Sequence, residues 1–281
     1  MPEMPPASEH HRHPVFIGGG DYLRVAHGSP RLHDGRGARA GNGVEPIAKR
    51  KERIRRGHGP DEPHAPRAVL WDMDGTLIDS AEYHWLTWRD TLAREGHALT
   101  REQFASWFGQ RNDAILRRYL GDHLSTDDVR RIGGAKEAAY RDMVRAGGVE
   151  PLPGVRAWLG RLRDAGWRQA VASSAPPENI EAILDVLAVA DCFQAFVSAE
   201  EVPHGKPAPD VVLLAAERVG VPPSRCVVVE DAPAGVEAGR RGGMRTIGIT
   251  SMNRALDADV VVASLDQLPP GTFDGLLETV A

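Results

Sequence analysis

Residues 68–80 read AVLWDMDGTLIDS, and both the fold and the chemistry turn on them. Four apolar residues, Ala68 to Trp71, run into Asp72 and Asp74, spaced two apart and followed by Gly75. A near-unbroken apolar strand suits a sheet covered on both faces. Polar residues directly after such a strand lie where open α/β sheets gather their ligands.

The chain downstream repeats this strand in alternation with helices. Val155, Trp158, Leu159 and Leu162 recur at i, i+3, i+4 and i+7, an amphipathic helix ended by Gly166. A strand is expected over Gln169 to Ala172, then a helix from about Pro177 carrying Ile180, Ile183, Leu184 and Leu187. Phe193 to Val197 is again strand-like, Val212, Ala215, Ala216 and Val219 form a helical face, and Arg225 to Val229 is the most continuous β-branched run. Strands alternating with helices of about ten residues imply parallel βαβ units and a doubly wound α/β sheet.

Residues 81–150 break the alternation. They carry only helical periods, such as Trp85, Trp88 and Leu92, or Ile115, Leu116 and Tyr119, with Asp79 or Ser80 able to cap the first helix. The expected organisation is an α/β core over 67–80 and 151–281, with an all-helical insertion over 81–150. Residues 1–66 are rich in Gly, Pro, His and Arg, cannot bury enough apolar surface to offset ordering, and are expected to be disordered. Within them the basic run 49–56 reads as a solvated linker. His10, His11 and His13 could bind a metal only weakly from an unordered tail.

Composition narrows the function classes. The net charge of -5 gives no general attraction to nucleic acid or acidic lipid. No stretch approaches the roughly 18 to 20 apolar residues of a membrane span, and the Pro- and His-rich start does not resemble a secretory signal. Two cysteines, Cys192 and Cys226, are too few for a disulfide framework or a zinc site and suit buried thiols in a reducing cytoplasm. Gly205-Lys206 is no P-loop, because Pro207 follows the lysine, and no dinucleotide fingerprint opens a helix. Asp127-Asp128 and Asp257 to Asp259 read as solvated turns or a helix start; Trp85, Trp88, Trp107 and Trp158 read as packing residues.

Four strand ends supply the candidate chemistry: Asp72 and Asp74, then Ser173, then Lys206, then Glu230-Asp231. Four converging carboxylates repel one another unless a cation sits among them. Magnesium suits such a set, taking one or two carboxylates together with water and a substrate phosphate. A carboxylate can attack phosphorus to form an aspartyl-phosphate, while an ammonium and a hydroxyl hold the phosphoryl oxygens.

Asp72-Met73-Asp74-Gly75-Thr76, Ser173, Lys206 and Glu230-Asp231, in this order, resemble the four motifs of the haloacid dehalogenase superfamily over about residues 67–265. The resemblance implies a Rossmann-like core with a helical cap that closes over the site. It makes Asp72 the nucleophile and a metal ligand, and Asp74 the general acid and base, its main-chain carbonyl facing the metal. Ser173 and Lys206 bind the phosphoryl group, and Glu230 and Asp231 complete the magnesium shell. Dehalogenating members lack the second aspartate, so Asp74 favours phosphoryl chemistry, in which a poor alkoxide must be protonated to leave.

Asp79 to His84, Gly205 to Asp210 and Glu230 to Val236 further resemble the β-phosphoglucomutase-like group and its sugar phosphatases. That implies a place for His84 beside Asp74 or the substrate. Where the mutase pattern carries Gly-x-Ser-Arg for the far phosphate, this chain reads Phe108-Gly109-Gln110-Arg111, one position displaced, leaving Arg111 as a candidate phosphate or sugar contact. The expectation is a magnesium-dependent phosphatase acting on a small phosphorylated metabolite. A sugar phosphomutase and a non-catalytic metabolite-binding protein are the alternatives.

Overall fold

The computed structural model describes residues 65–250 and 255–278. The expectations for the tail before Ala65, including its histidines and basic run, lie outside the described residues. Among these residues, no helix is long and apolar enough to cross a membrane.

Strand β1 (Ala68–Trp71) lies inside a six-stranded parallel sheet with β2 (Arg168–Ser173), β3 (Ala195–Ser198), β4 (Cys226–Glu230), β5 (Arg245–Ile249) and β6 (Val260–Val262), in the order β3-β2-β1-β4-β5-β6. Both neighbours of β1 come later in the chain, and Trp71 is level with Val171 on one side and Val229 on the other. The sheet therefore reverses direction of winding at β1, where a crevice forms outside the carboxyl ends of the strands.

Alternate residues of each strand feed two cores. Val69, Trp71, Val171, Val227 and Val229 face Leu159 and Leu162 of α5 (Val155–Asp164) and Ile183 and Leu187 of α6 (Pro177–Leu187). Leu70, Ala170, Ala172 and Val228 face Val212, Ala215 and Val219 of α7 (Asp210–Val219). Covering both faces explains why these strands read as continuous apolar runs. β3 and β4 begin later than the sequence suggests, because Phe193 closes a short 3-10 turn, and Arg225 ends another while donating to the carbonyls of Ala65 and Pro66. Helix α8 (Pro233–Arg241) follows β4, and α9 (Thr272–Glu278) brings Phe273 against Trp71.

Four helices are inserted after β1: α1 (Ala81–Arg94), α2 (Arg101–Ala105), α3 (Asn112–Leu120) and α4 (Thr126–Gly147). They bury a separate apolar cluster that includes Trp85, Trp88, Trp107 and Leu116. Asp127 and Asp128 lie in the first turn of α4, whose N-cap Ser125 accepts from the Asp128 N–H. The two passages between insertion and sheet run side by side: Ile78 bridges to Pro151, and the Leu152 N–H donates to the Leu77 carbonyl.

Two local expectations are corrected. Ser80 occupies the N-cap of α1 but makes no capping bond, since its hydroxyl donates to Asp74; Asp79 accepts weakly from the Ala81 N–H at 3.3 Å. Asp259 is more than a solvated turn residue, because its carboxylate accepts from Arg245 and from both the N–H and hydroxyl of Thr246, tying β5 to the chain entering β6.

Candidate active site

The sheet register sets Asp72 one residue beyond Trp71, beside Ala172 at the end of β2 and Glu230 at the end of β4. The Asp72 N–H prolongs the ladder by donating to the Val229 carbonyl at 2.9 Å. Lys206, 134 residues away, spends three contacts on this point: Nζ donates to Asp72 Oδ1 at 2.7 Å, to the Ala172 carbonyl at 2.9 Å and to Glu230 Oε1 at 2.6 Å. Ser173 is buried at the end of β2, where its hydroxyl accepts from the Ala175 N–H.

Asp72, Glu230 and Asp231 each offer a carboxylate oxygen within 4.8 Å of the others, and all three are buried. Two glycines make this crowding possible. Gly75 has φ +90°, and a Cβ there would lie 2.2 Å from Asp231 Oδ2; a Cβ on Gly235 would lie 1.7 Å from Glu230 Oε1. Hard oxygen donors held this closely fit a divalent cation such as magnesium. Their electrostatics agree. Burial, followed by the charges of Glu230 and Asp231, pushes the Asp72 carboxyl well above the usual range, and Lys206 only partly opposes them. Burial alone would lower the Lys206 ammonium, but Asp72 and Glu230 outweigh it and hold the group protonated above its ordinary range. One lysine, paired with Asp72 and Glu230, beside three buried carboxylates leaves a deficit of positive charge that a cation would fill.

Asp74 belongs to a different network. Its Oδ1 accepts from Ser80 Oγ at 2.5 Å, from His84 Nε2 at 3.2 Å and, at 3.4 Å, from the Tyr140 hydroxyl. Burial alone would raise its pKa, but His84, Ser80 and Lys136 outweigh that and hold the carboxyl below its ordinary value. The Asp74 carboxylate is not part of the acidic trio, so the role implied there falls to its main-chain carbonyl. Two aspartates separated by one residue thus meet opposite surroundings, because the chain leaves the strand at Asp72 and turns over Met73 to Ile78, where the Leu77 N–H donates to the Met73 carbonyl and the Gly75 N–H to the Ile78 carbonyl.

His84 is brought to the site on the first turn of α1, stacked on Tyr140 with ring centroids 4.1 Å apart. Arg111 is not brought into the cleft. Its Nη1 donates to the Ala199 carbonyl at 3.1 Å and its Nε to Asp113 at 3.2 Å, while its stem packs against Gly205.

Four participants escaped the sequence reading. Lys136 and Glu137 of α4 form a buried pair at 2.8 Å, and Lys136 Nζ also lies 2.7 Å from His84 Nδ1. Asn112 and Asn179 both donate to the Glu137 carboxylate, at 2.8 and 2.6 Å. The available signal was a lysine on an apolar stripe: Ile132, Lys136, Tyr140 and Val144 recur every four residues along the buried face of α4. Beyond Asp74 and Ser174 the site opens into a cleft lined by Trp107, Phe108, Gln110 and the Lys136–Glu137 pair.

Residues 66–243 match the family model described as haloacid dehalogenase-like hydrolase. The chain is 34% identical over 184 residues to the fructose-1-phosphate phosphatase YqaB of Escherichia coli (strain K12), covering 64% of this chain and 95% of that protein. It is 30% identical over 208 residues to the β-phosphoglucomutase of Bacillus subtilis (strain 168), covering 72% of this chain and 91% of that protein. The crystal structure of β-phosphoglucomutase from Clostridium difficile superposes with a TM-score of 0.70 at 24% identity, covering 76% of this chain and 98% of that one, a likeness of fold. With its parallel sheet, inserted helices and carboxylates at the strand ends, the chain belongs to the haloacid dehalogenase-like hydrolase family.

Proposed function

We propose that the protein is a magnesium-dependent phosphatase that hydrolyses a small phosphorylated metabolite, best a sugar phosphate, through an aspartyl-phosphate on Asp72. The observation that carries the reading is the division of labour between Asp72, among Lys206, Glu230 and Asp231, and Asp74, hydrogen-bonded to Ser80 and His84.

Asp72 Oδ attacks phosphorus as the ester oxygen leaves, and Asp74, favoured in its protonated form once an anionic ester binds beside it, gives that oxygen its proton. Asp74 then takes a proton from the water that attacks the aspartyl-phosphate, releasing inorganic phosphate and restoring Asp72. Lys206 and the Ser173 hydroxyl hold the phosphoryl oxygens. Magnesium would be held by Asp72, the Asp74 carbonyl, Glu230 and Asp231, and would supply charge stabilisation for the transferring group. The inserted helices, proposed as a cap over 81–150 on a core of 67–80 and 151–281, exclude bulk water during the first transfer. Two buried cysteines outside any disulfide support a cytoplasmic setting.

Turnover of p-nitrophenyl phosphate with and without magnesium, by the wild type and Asp72→Asn, tests the reading. Substantial magnesium-dependent release by the variant would sink the nucleophile assignment. The mutase reading is favoured by the similarity to β-phosphoglucomutase and weakened by Arg111, whose guanidinium is committed to Ala199 and Asp113. Incubation with β-glucose 1-phosphate and catalytic glucose 1,6-bisphosphate separates them: isomerised sugar phosphate indicates a mutase, free phosphate a phosphatase.

A further inference from the structure

The cleft beside Asp74 receives whatever is attached to the phosphate, and its charged lining is unusual. Among the described residues that line it, the carboxylates of Asp74 and Glu137 face a single ammonium, that of Lys136. That ammonium is already engaged: Nζ lies 2.8 Å from Glu137 Oε1 and 2.7 Å from His84 Nδ1, and it is almost wholly buried. Neither neighbouring arginine lines the cleft. Arg111 donates to the Ala199 carbonyl and to Asp113, and Arg141 donates to Asn179 Oδ1 at 2.9 Å.

Glu137 is fixed at this point by three donors. Lys136 and Asn112 reach Oε1 and Asn179 reaches Oε2. A carboxylate accepts about four hydrogen bonds, which leaves one position on Oε2 suited to a hydroxyl. The other walls are aromatic rings, Phe108 and Trp107, and the neutral amide of Gln110. An anion brought here would lose water, meet a carboxylate and find among the described lining residues no lysine or arginine but the paired Lys136, a repulsive element of the kind that sets specificity against a near-identical competitor.

We propose that Glu137 is a specificity-determining residue that restricts the site to esters bearing a single phosphate and an uncharged, hydroxylated leaving group, and excludes bisphosphates by neutralising Lys136. The proposal rests on the phosphatase reading for which end of the ester enters first. Glu137 itself makes no contact with Asp72 or Asp74 and takes no part in the hydrolytic step.

The test is direct binding to full-length Asp72→Asn protein, in which turnover is blocked, measured by calorimetry with magnesium present. Fructose 1-phosphate is compared with fructose 1,6-bisphosphate, and glucose 6-phosphate with glucose 1,6-bisphosphate. Each monophosphate is expected to bind at least about ten-fold tighter than its bisphosphate. Glu137→Gln in the same background frees the Lys136 charge and is expected to shift that ratio about ten-fold toward the bisphosphate, whereas the double change Lys136→Met with Glu137→Gln leaves no free cation and gives no such shift. A purely structural role for Glu137 would weaken both ligands alike. Equal or tighter binding of the bisphosphates by the otherwise unchanged site, or binding of neither member of either pair, overturns the proposal even if the Glu137 variants fail to fold. Failure of the phosphatase reading appears separately, as loss of magnesium-dependent p-nitrophenyl phosphate turnover in the wild type.

Discussion

Lys136 Nζ lies 2.7 Å from His84 Nδ1, and that contact decides which proton His84 carries. An ammonium only donates, so Nδ1 must accept, and the ring hydrogen resides on Nε2, 3.2 Å from Asp74 Oδ1. His84 therefore donates to Asp74 Oδ1 and, before an ester is bound, favours the ionised carboxylate, in line with its lowered pKa.

Replacing His84 by alanine is expected to cut kcat for an alkyl phosphate by about 10²-fold, with a smaller loss for p-nitrophenyl phosphate. The nitrophenolate departs with little help from a proton, whereas an alkoxide needs the proton from Asp74, whose carboxyl His84 holds in place. Steady-state assays on the two esters check this, and equal losses on both would remove His84 from the acid-base step.

Asp74→Asn separates the two halves of the reaction. An asparagine cannot take the proton from water, so the second half slows by about 10³-fold while attack by Asp72 on an activated ester continues. Rapid mixing with p-nitrophenyl phosphate should show a burst of one nitrophenolate per protein followed by near arrest. A slow linear trace without a burst would mean that Asp74 is needed for the first transfer even when the leaving group is good.

Much of this site was legible before the fold was known, for a definite physical reason. Asp72, Ser173 and Glu230 each follow an apolar run long enough to mark a buried strand, and a parallel sheet brings such strand ends to one edge. β5 was less legible because Gly248 interrupts it; a Cβ there would lie 2.9 Å from Leu256 Cδ1, so close packing requires the residue that weakens the strand pattern. β6 has only three residues and leaves Val261 exposed at the sheet edge. Ser80 carried the right type for a helix cap, and nothing local revealed that Asp74 would take its hydroxyl instead. The Lys136–His84 contact joins residues 52 apart on different helices, and Arg111 was diverted by main-chain carbonyls 88 and 91 residues away. Tertiary approach creates these pairings, and one-dimensional spacing carries no trace of them.

Glu137 also makes a prediction about acid stability. Burial would raise its carboxyl, but Lys136, His84 and the Asn112 amide outweigh that and hold it below the ordinary 4.5. For the partner, burial prevails and lowers the Lys136 pKa, so the pair's favourable pH dependence in acid belongs to Glu137. A carboxyl depressed in the folded state contributes stability that is full above its unfolded pKa and is lost as pH falls through the folded one. Each unit of depression corresponds to about 1.4 kcal/mol. Urea unfolding between about pH 6 and pH 3 should therefore show a steeper acid limb in the wild type than in Glu137→Gln, which is less stable near neutrality by about 3 kcal/mol because Lys136 is left buried without its partner. Parallel limbs would show that Glu137 carries no net proton linkage.

Gly75→Ala tests whether the acidic trio owes its closeness to a missing side chain. Gly75 adopts φ +90°, where alanine is strained by about 1–3 kcal/mol, and the new Cβ would fall 2.2 Å from Asp231 Oδ2. The main chain is pinned there by the Gly75 N–H donating to the Ile78 carbonyl at 2.7 Å, so the Asp231 carboxylate is the part that must yield. Displacing it withdraws one of three oxygen donors. Activity should fall at low magnesium and recover in part when magnesium is raised, alongside a melting temperature lower by several degrees. A magnesium titration of kcat/KM beside a thermal melt reads both effects. Lost stability with an unchanged magnesium requirement would mean that Gly75 serves the turn alone and that Asp231 has no part in holding the metal.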